Sequence, residues 1–212
     1  MNYQLLAELR DISKDQWFGL PYGSFHHPLF SLEGSTYGGN VLCQRDTKKR
    51  FKQVDLTTKE LTNKTVVDVG SNTGAMLLYA SQLGANKVIG IDNHKPNTIF
   101  CQKLFNECEP NLSAAFYNWD ANRLKDDALK ELNPDIVFCL ALSKWVDYEH
   151  LIKLLSNSGA ELIWFEDNKY GGQDRSKGLI PGYECKLMFY SGMEANTPTG
   201  WQRSNYLGRK IK

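Results

Sequence analysis

The stretch Asp68-Val69-Gly70-Ser71-Asn72-Thr73-Gly74 constrains this chain more than any other. It ends the β-branched run Thr65–Val69 and leads into an apolar helical pattern over 75–83. Gly70 lets the backbone turn sharply and approach a ligand closely. Gly74 lets the helix start close to the sheet, and the helix N-terminus offers free backbone N–H groups. At the end of the next apolar run comes Ile89-Gly90-Ile91-Asp92, with its carboxylate 22 residues after Gly70. An acid placed there can accept hydrogen bonds from both hydroxyls of a ribose. Spacing and strand context fit the nucleoside-binding plan of a doubly wound sheet.

The rest of the chain keeps the same rhythm. Strands are expected at 65–69, 87–91, 113–117, 135–140 and 160–165, and helices at 75–83, 96–108, 123–132 and 147–157. Gly84 reads as the stop of the first helix and Pro96 as a first-turn residue of the second. Near-continuous apolar strands between helices argue for a parallel sheet covered on both faces. Two later runs, 185–190 and 204–211, read as a closing antiparallel pair. The expected fold is therefore α/β: a doubly wound, mostly parallel seven-stranded sheet with an antiparallel C-terminal pair. Residues 1–60 differ in character from 61–212 and are expected to form a separate N-terminal part, a lid or a substrate platform. They hold an amphipathic helix over 2–13, a breaker-rich aromatic loop over 17–44 and a lead-in helix over 45–56.

Composition narrows the classes. Lys and Arg number 25 against 24 Asp and Glu, a formal net charge of +1, which argues against a protein that coats DNA wholesale and leaves room for a local basic patch. The longest apolar run, Ile136 to Leu142, is seven residues, far short of the ~20 that span a bilayer. No signal-peptide hydrophobic region is visible, and the five scattered cysteines make no C-x-x-C pair, so a cytoplasmic protein with reduced thiols is expected. No His, Cys or acid set has metal-ligand spacing, so no metal is expected. His26 and His27, in the aromatic loop, read as loop packing.

Two cofactor classes use a glycine turn with an acid one strand away. A dinucleotide enzyme wants G-x-G-x-x-G, so that the pyrophosphate meets bare backbone. This chain has Asn72 at the middle glycine and Asp68 two residues before the first. A carboxylate there is awkward beside a pyrophosphate and useful beside an ammonium group. D-V-G-S-N-T-G followed by V-I-G-I-D resembles motifs I and II of the class I S-adenosylmethionine (SAM)-dependent methyltransferases. F-Y-N-W-D-A at 116–121 and D-I-V-F-C-L-A-L at 135–142 are similar to that family's segments after the third strand and in the fourth strand. The resemblance covers roughly 60–212.

The resemblance implies a SAM site. Gly70, Ser71, Asn72 and Gly74 would shape the methionine pocket, with Asp68 supporting the ammonium. Asp92 would bind the ribose and Asn93 would lie next to the adenine. Asp120 and the backbone N–H of Ala121 would face the adenine amino group, while Leu140 and Ala141 would lie beneath the sulfonium. Asp120 also fits a plain N-cap for the helix that follows. The layout of 37–51 together with S-K-W-V at 143–146 is similar to RNA-directed members, the RNA 5′-phosphate methyltransferases of the Bin3 type and the wobble-uridine enzymes. In those, a tyrosine and an arginine hold the cofactor carboxylate, which implies Tyr37 and Arg45 here. The competing reading of Lys48, Lys49, Arg50 and Lys52 is a solvated helix face.

The fourth strand ends in L-A-L-S-K-W, without N-P-P-[FYW] or Pro-Cys, which speaks against exocyclic-amine DNA and C5-cytosine chemistry. Candidate acceptor residues lie at strand ends: Ser143, Lys144 and Trp145, then Glu166, Asp167 and Asn168. Lys144, Trp145 and Glu166 are the catalytic candidates. Glu166 would be a base, and the competing reading is a solvated loop acid. The expected activity is methyl transfer to O or N. Basic stretches at 45–52 and 209–212 tilt the acceptor toward RNA or a nucleotide, and the balanced charge keeps a small metabolite as the alternative. More remote alternatives are an NAD-binding oxidoreductase, against which Asp68 and Asn72 argue, and a non-catalytic module with the same fold.

Overall fold

The computed structural model describes residues 30–32, 35–37, 47–169, 174–191 and 203–211, the first two segments by their backbone only. The helix expected over 2–13, Arg45, His26, His27 and the side chain of Tyr37 lie outside the described residues. Within the expected loop at 17–44, Phe30–Leu32 (β1) and Ser35–Tyr37 (β2) pair antiparallel, with Leu32 in register with Ser35.

Thr47–Gln53 (α1) and Thr58–Leu61 (α2) precede the sheet. The second has a capping box, with Thr57 and Glu60 satisfying each other's backbone donors. The sheet then builds up as Thr65–Val69 (β3), Ala75–Gln82 (α3), Lys87–Asp92 (β4), Lys95–Cys108 (α4) and Ser113–Asn118 (β5). Ala128–Glu131 (α5), Ile136–Leu140 (β6), Tyr148–Asn157 (α6), Leu162–Asp167 (β7), Tyr183–Ser191 (β8) and Arg203–Lys210 (β9) complete it. The strand order is β5-β4-β3-β6-β7-β9-β8. The first five run parallel, and β9 lies antiparallel between β7 and β8. Gly84 has φ +99 just beyond α3, as its stop position requires.

One expectation needs correction. The helix expected over 123–132 is a 3₁₀ turn at Ala121–Arg123 and the single turn α5. Leu124 is extended between them, and Asp126 faces away to pair with Lys153 and His150 of α6. Leu124, Ala128, Leu129 and Leu132 have helical spacing in sequence, but the chain meets that pattern in two pieces.

Each face of the sheet carries its own core. On one face α1, α3 and α4 cover Val66, Val88, Phe138, Trp164 and Leu207. Phe51 of α1 stands edge-on to Tyr79, Phe138 and Trp164, with ring centroids 4.9, 5.6 and 5.3 Å away. The part of 1–60 that is described from residue 47 on therefore packs into the same core as the sheet, through Phe51, Val54 and Leu56. On the other face α5 and α6 join Leu179, Ile180 and Tyr183 over Val67, Ile89, Val137, Ile163 and Tyr206. Burying such side chains supplies the main stabilisation, roughly 1.5–3 kcal/mol each. No helix among the described residues is long and apolar enough to cross a membrane.

Candidate functional site

Every expected cofactor residue that is described with its side chain sits at the carboxyl edge of β3, β4, β5 or β6. The turn after β3 is held to β4: the N–H groups of Gly70 and Ser71 both donate to the Ile91 carbonyl, at 2.7 and 3.0 Å. Gly70 has φ +82, Asn72 φ +49 and Gly74 φ +78. Asn is among the few side chains that tolerate this left-handed region, which explains its place between the two glycines. A Cβ on Gly70 would lie 2.8 Å from the Leu142 side chain, in the loop after β6. A Cβ on Gly74 would meet Cys101 at 3.0 Å and Phe105 at 3.3 Å, both on α4. Gly74 thus clears room for the neighbouring helix rather than for the sheet.

Asp68 lies in register between Gly90 and Phe138, and the Phe116 ring fills the space beside Gly90. Its carboxylate is therefore walled by aromatic rings and only 2% exposed. Burial, reinforced by the negative charge of Asp92, pushes it up to about 7, against the pull of Arg50. Asp68 Oδ1 and the Ser71 hydroxyl are buried polar atoms with no hydrogen-bond partner. Buried polar atoms are nearly always satisfied, so two orphans beside one turn point to a ligand or the water that serves it.

Asp92 ends β4 and organises the turn. Its Oδ2 accepts from the Asn72 N–H at 2.9 Å, and Oδ1 accepts from the His94 N–H at 2.8 Å and Asn97 Nδ2 at 3.2 Å. Asn93 is exposed beside it. Asp120 caps the 3₁₀ turn through the Asn122 N–H at 3.0 Å, so the capping reading of this residue holds. Asn93, Asn118, Trp119, Asp120 and Arg123 line one cleft of about 540 Å³. Ala121 is buried, and its carbonyl contacts His150 Nε2 at 3.0 Å.

At the end of β6, Leu140 and Ala141 are half-buried, and Ala141 has φ +62. A non-glycine residue held there stores about 1–3 kcal/mol of strain, a cost that clusters at functional sites. Its N–H donates to the Glu166 carbonyl at 3.1 Å, and its carbonyl accepts from Asn168 Nδ2 at 2.8 Å. The buried Ser143 hydroxyl lies 2.7 Å from both Asp167 Oδ1 and Asn168 Oδ1 and accepts from the N–H groups of Asn168 and Lys169. The loops after β6 and β7 are thus latched together. Lys144 is exposed at the rim and Trp145 is 67% exposed.

Glu166 is neither solvated nor in a loop. It is an internal residue of β7 with 0% exposure. Its Oε2 is bonded by Arg50, and its Oε1 is reached by the Ser191 hydroxyl at 3.0 Å and Arg203 Nη1 at 3.3 Å. Arg50 also departs from the expected solvated face: it is 4% exposed, while Lys48, Lys49 and Lys52 are exposed. Its guanidinium lies 5.1 Å over the Trp164 ring. Sequence reasoning missed Arg50 because it sits inside a charge run; the only local signal was its place beside Phe51 on the same helix as the lysines.

Solved structures share this architecture at low identity. The bifunctional kinase-methyltransferase WbdD matches over 95% of this chain with a TM-score of 0.67 and 16% identity. The match spans about half of WbdD, 46% of its length. Magnesium protoporphyrin IX methyltransferase (ChlM) from Synechocystis PCC 6803, solved with bound SAM, matches over 98% of this chain and 96% of its own. Its TM-score is 0.56 at 16% identity. The fold is that of the class I methyltransferases. In this class I fold the glycine turn, Asp92 and the latched β6 and β7 loops share the carboxyl edge, where open α/β sheets bind ligands. No protein-family model and no curated protein sequence matches the chain. Among the described residues, no group of three or more His, Cys, Asp or Glu could hold a metal ion.

Proposed function

We propose that this chain is a SAM-dependent methyltransferase acting on an O or N acceptor, with RNA or a nucleotide as the favoured acceptor class. One observation carries the cofactor assignment: the buried Asp68 carboxylate, with an unpartnered oxygen, directly beneath the glycine turn. A pyrophosphate placed on this turn would meet the Asp68 carboxylate. An ammonium-bearing nucleoside meets complementary charge instead, so the residues present fit SAM and oppose NAD.

When bound, SAM supplies an activated methyl group on a sulfonium. The protein's own part is to bind, align and exclude water. Gly70, Ser71, Asn72 and Gly74 form the wall of the methionine pocket, and Asp68 receives the ammonium directly or through water. Asp92 takes a ribose hydroxyl on Oδ2 while holding the turn through Asn72. Asn93, Asp120 and Ala121 border the adenine, and Leu140 and Ala141 form the floor under the reacting centre. Tyr37 and Arg45 keep their assignment to the cofactor carboxylate. Residues 1–60 serve the 61–212 domain as a lid or substrate platform, and Phe51, Val54 and Leu56 are built into its core. Trp145 offers an exposed ring for stacking a planar acceptor, and Lys144 an ammonium for an anionic one. Glu166, with both oxygens engaged, is assigned to positioning rather than proton transfer. The near-balanced charge favours the second reading, a small metabolite as acceptor.

The test is incubation of the protein with methyl-labelled SAM and a cell extract, followed by separation of RNA from small molecules. Label in RNA is expected. Label confined to small molecules supports the second reading, and no transfer to any fraction contradicts the proposal.

A further inference from the structure

We propose that Asn122 is a positioning residue that joins the two halves of the site, carrying occupancy of the adenine cleft to the segment that presents Trp145. The inference rests on the methyltransferase reading, which assigns adenine to Asp120 and the acceptor to Trp145, and adds the residue that connects them.

The geometry begins at Asp120. Its Oδ1 accepts from the Asn122 N–H at 3.0 Å and from Asn122 Nδ2 at 3.4 Å. Its Oδ2, 3.6 Å from Arg123 Nε, is the oxygen an adenine amino group would take. The Asn122 amide also reaches the loop after β6. Its Nδ2 donates to the Trp145 carbonyl at 3.2 Å, and its Oδ1 accepts from the Asp147 N–H at 3.0 Å. A primary amide carries both donors and an acceptor, so one side chain can satisfy a backbone carbonyl and the N–H two residues on. Asn122 therefore grips the backbone on either side of Val146. Val146 is itself buried in the core under α5 and α6, while Trp145 beside it is 67% exposed.

The same loop touches the rest of the cofactor site. The Trp145 N–H donates to the Leu142 carbonyl at 2.8 Å, and the Leu142 side chain fills the space beside Gly70. At the other end Asp147 caps α6 through the His150 N–H at 2.8 Å. The His150 ring then returns to the adenine side, with Nε2 3.0 Å from the Ala121 carbonyl and Nδ1 3.3 Å from Asp126. Trp145 thus sits on a short turn whose start abuts the glycine turn and whose end is pinned to the 120–126 segment.

Coupling follows from this placement. A ligand shifts a protein's conformations only by interacting differently with them. Adenine on Asp120 steadies the carboxylate to which Asn122 is bonded. Asn122 passes that restraint to the Trp145 backbone through hydrogen bonds that are exposed to solvent and open readily without it. By reciprocity an acceptor seated on Trp145 tightens SAM by the same factor, about three- to tenfold for a link of two exposed hydrogen bonds. A merely structural Asn122 would fix the loop equally with and without SAM.

The experiment is fluorine NMR of the full chain labelled with fluorotryptophan and titrated with SAM. Trp119→Phe and Trp145→Phe assign the two resonances. Trp119 lines the adenine cleft and reports its occupancy, while Trp145 reports the loop. In the wild type, SAM is expected to move both. In Asn122→Ala, SAM is expected to bind within about threefold of wild type and to move Trp119, while Trp145 keeps less than half of its response. Asn122→Asp keeps an acceptor for the Asp147 N–H but sets an oxygen against the Trp145 carbonyl, so the Trp145 response is expected to fall there too. A full Trp145 response in Asn122→Ala, or a wild-type protein in which SAM moves Trp119 alone, overturns the inference. Absence of SAM binding by the wild type overturns the methyltransferase reading instead.

Discussion

Replacing Asp92 by alanine tests the geometry of the nucleoside site most sharply. A carboxylate has about four acceptor sites. Three are taken by the Asn72 N–H, the His94 N–H and Asn97 Nδ2. The fourth, on Oδ2, is the one the proposed ribose hydroxyl would take. A hydrogen bond to a charged group contributes about 1.5–3 kcal/mol, so Asp92→Ala should weaken SAM binding roughly 10- to 150-fold. Loss of the Asn72 anchor adds to this by loosening the turn. The half-buried donors left behind can recruit water, which limits the stability loss to about 1–3 kcal/mol, or roughly 3–10 °C in Tm. Asp92→Asn keeps one acceptor oxygen and should fall between wild type and alanine. Isothermal titration with SAM at pH 8 is the assay, because Asp68 is then ionised in wild type and variant alike. A folded Asp92→Ala protein that binds SAM within threefold of wild type would refute the placement of the ribose.

Other consequences are as direct. Asp68 is raised to about 7 in the folded protein, above its ordinary value of 3.8, so the folded state holds a proton that the unfolded state has lost. Its contribution to stability is full below pH ~4 and disappears as pH rises to about 7, a loss of roughly 3–4 kcal/mol. Thermal melts of the ligand-free protein should show Tm falling across that window, with the slope flattened in Asp68→Asn; a rising Tm would contradict the burial argument. Ser143→Ala strips the latch between the β6 and β7 loops and orphans buried donors. It should cost about 2–3 kcal/mol in chemical denaturation and lower kcat while SAM affinity stays within about threefold. Trp145→Ala should leave stability within about 0.5 kcal/mol, since the ring is 67% exposed. Its expected effect is a KM for the acceptor raised about tenfold, and an unchanged KM would remove Trp145 from the acceptor site.

The parts of this site legible in the sequence are those written in local chemistry. Thr65–Val69 is a β-branched run closed by a glycine, and the strand has those bounds. Asn72 could be read as a departure from a glycine pattern, and its φ of +49 shows why asparagine stands there. Asp92 announced itself by spacing alone. The illegible parts depend on contacts between distant segments. Nothing local separates Arg50 from Lys48, Lys49 and Lys52; burial against Trp164 and Glu166 does, and those partners lie more than a hundred residues away. Glu166 follows the same logic, since a carboxylate at the end of an apolar strand looks solvated until two arginines are brought to it. The broken helix at 121–131 shows the converse, an apolar period that tertiary pairing of Asp126 with α6 overrides.

The central claim is that the glycine turn after Asp68 receives an ammonium-bearing nucleoside and not a pyrophosphate. Side-by-side isothermal titration of the wild-type protein with SAM and with NAD tests it most directly. The account predicts saturable one-to-one binding of SAM and no measurable binding of NAD. Tight NAD binding with no SAM binding would contradict it.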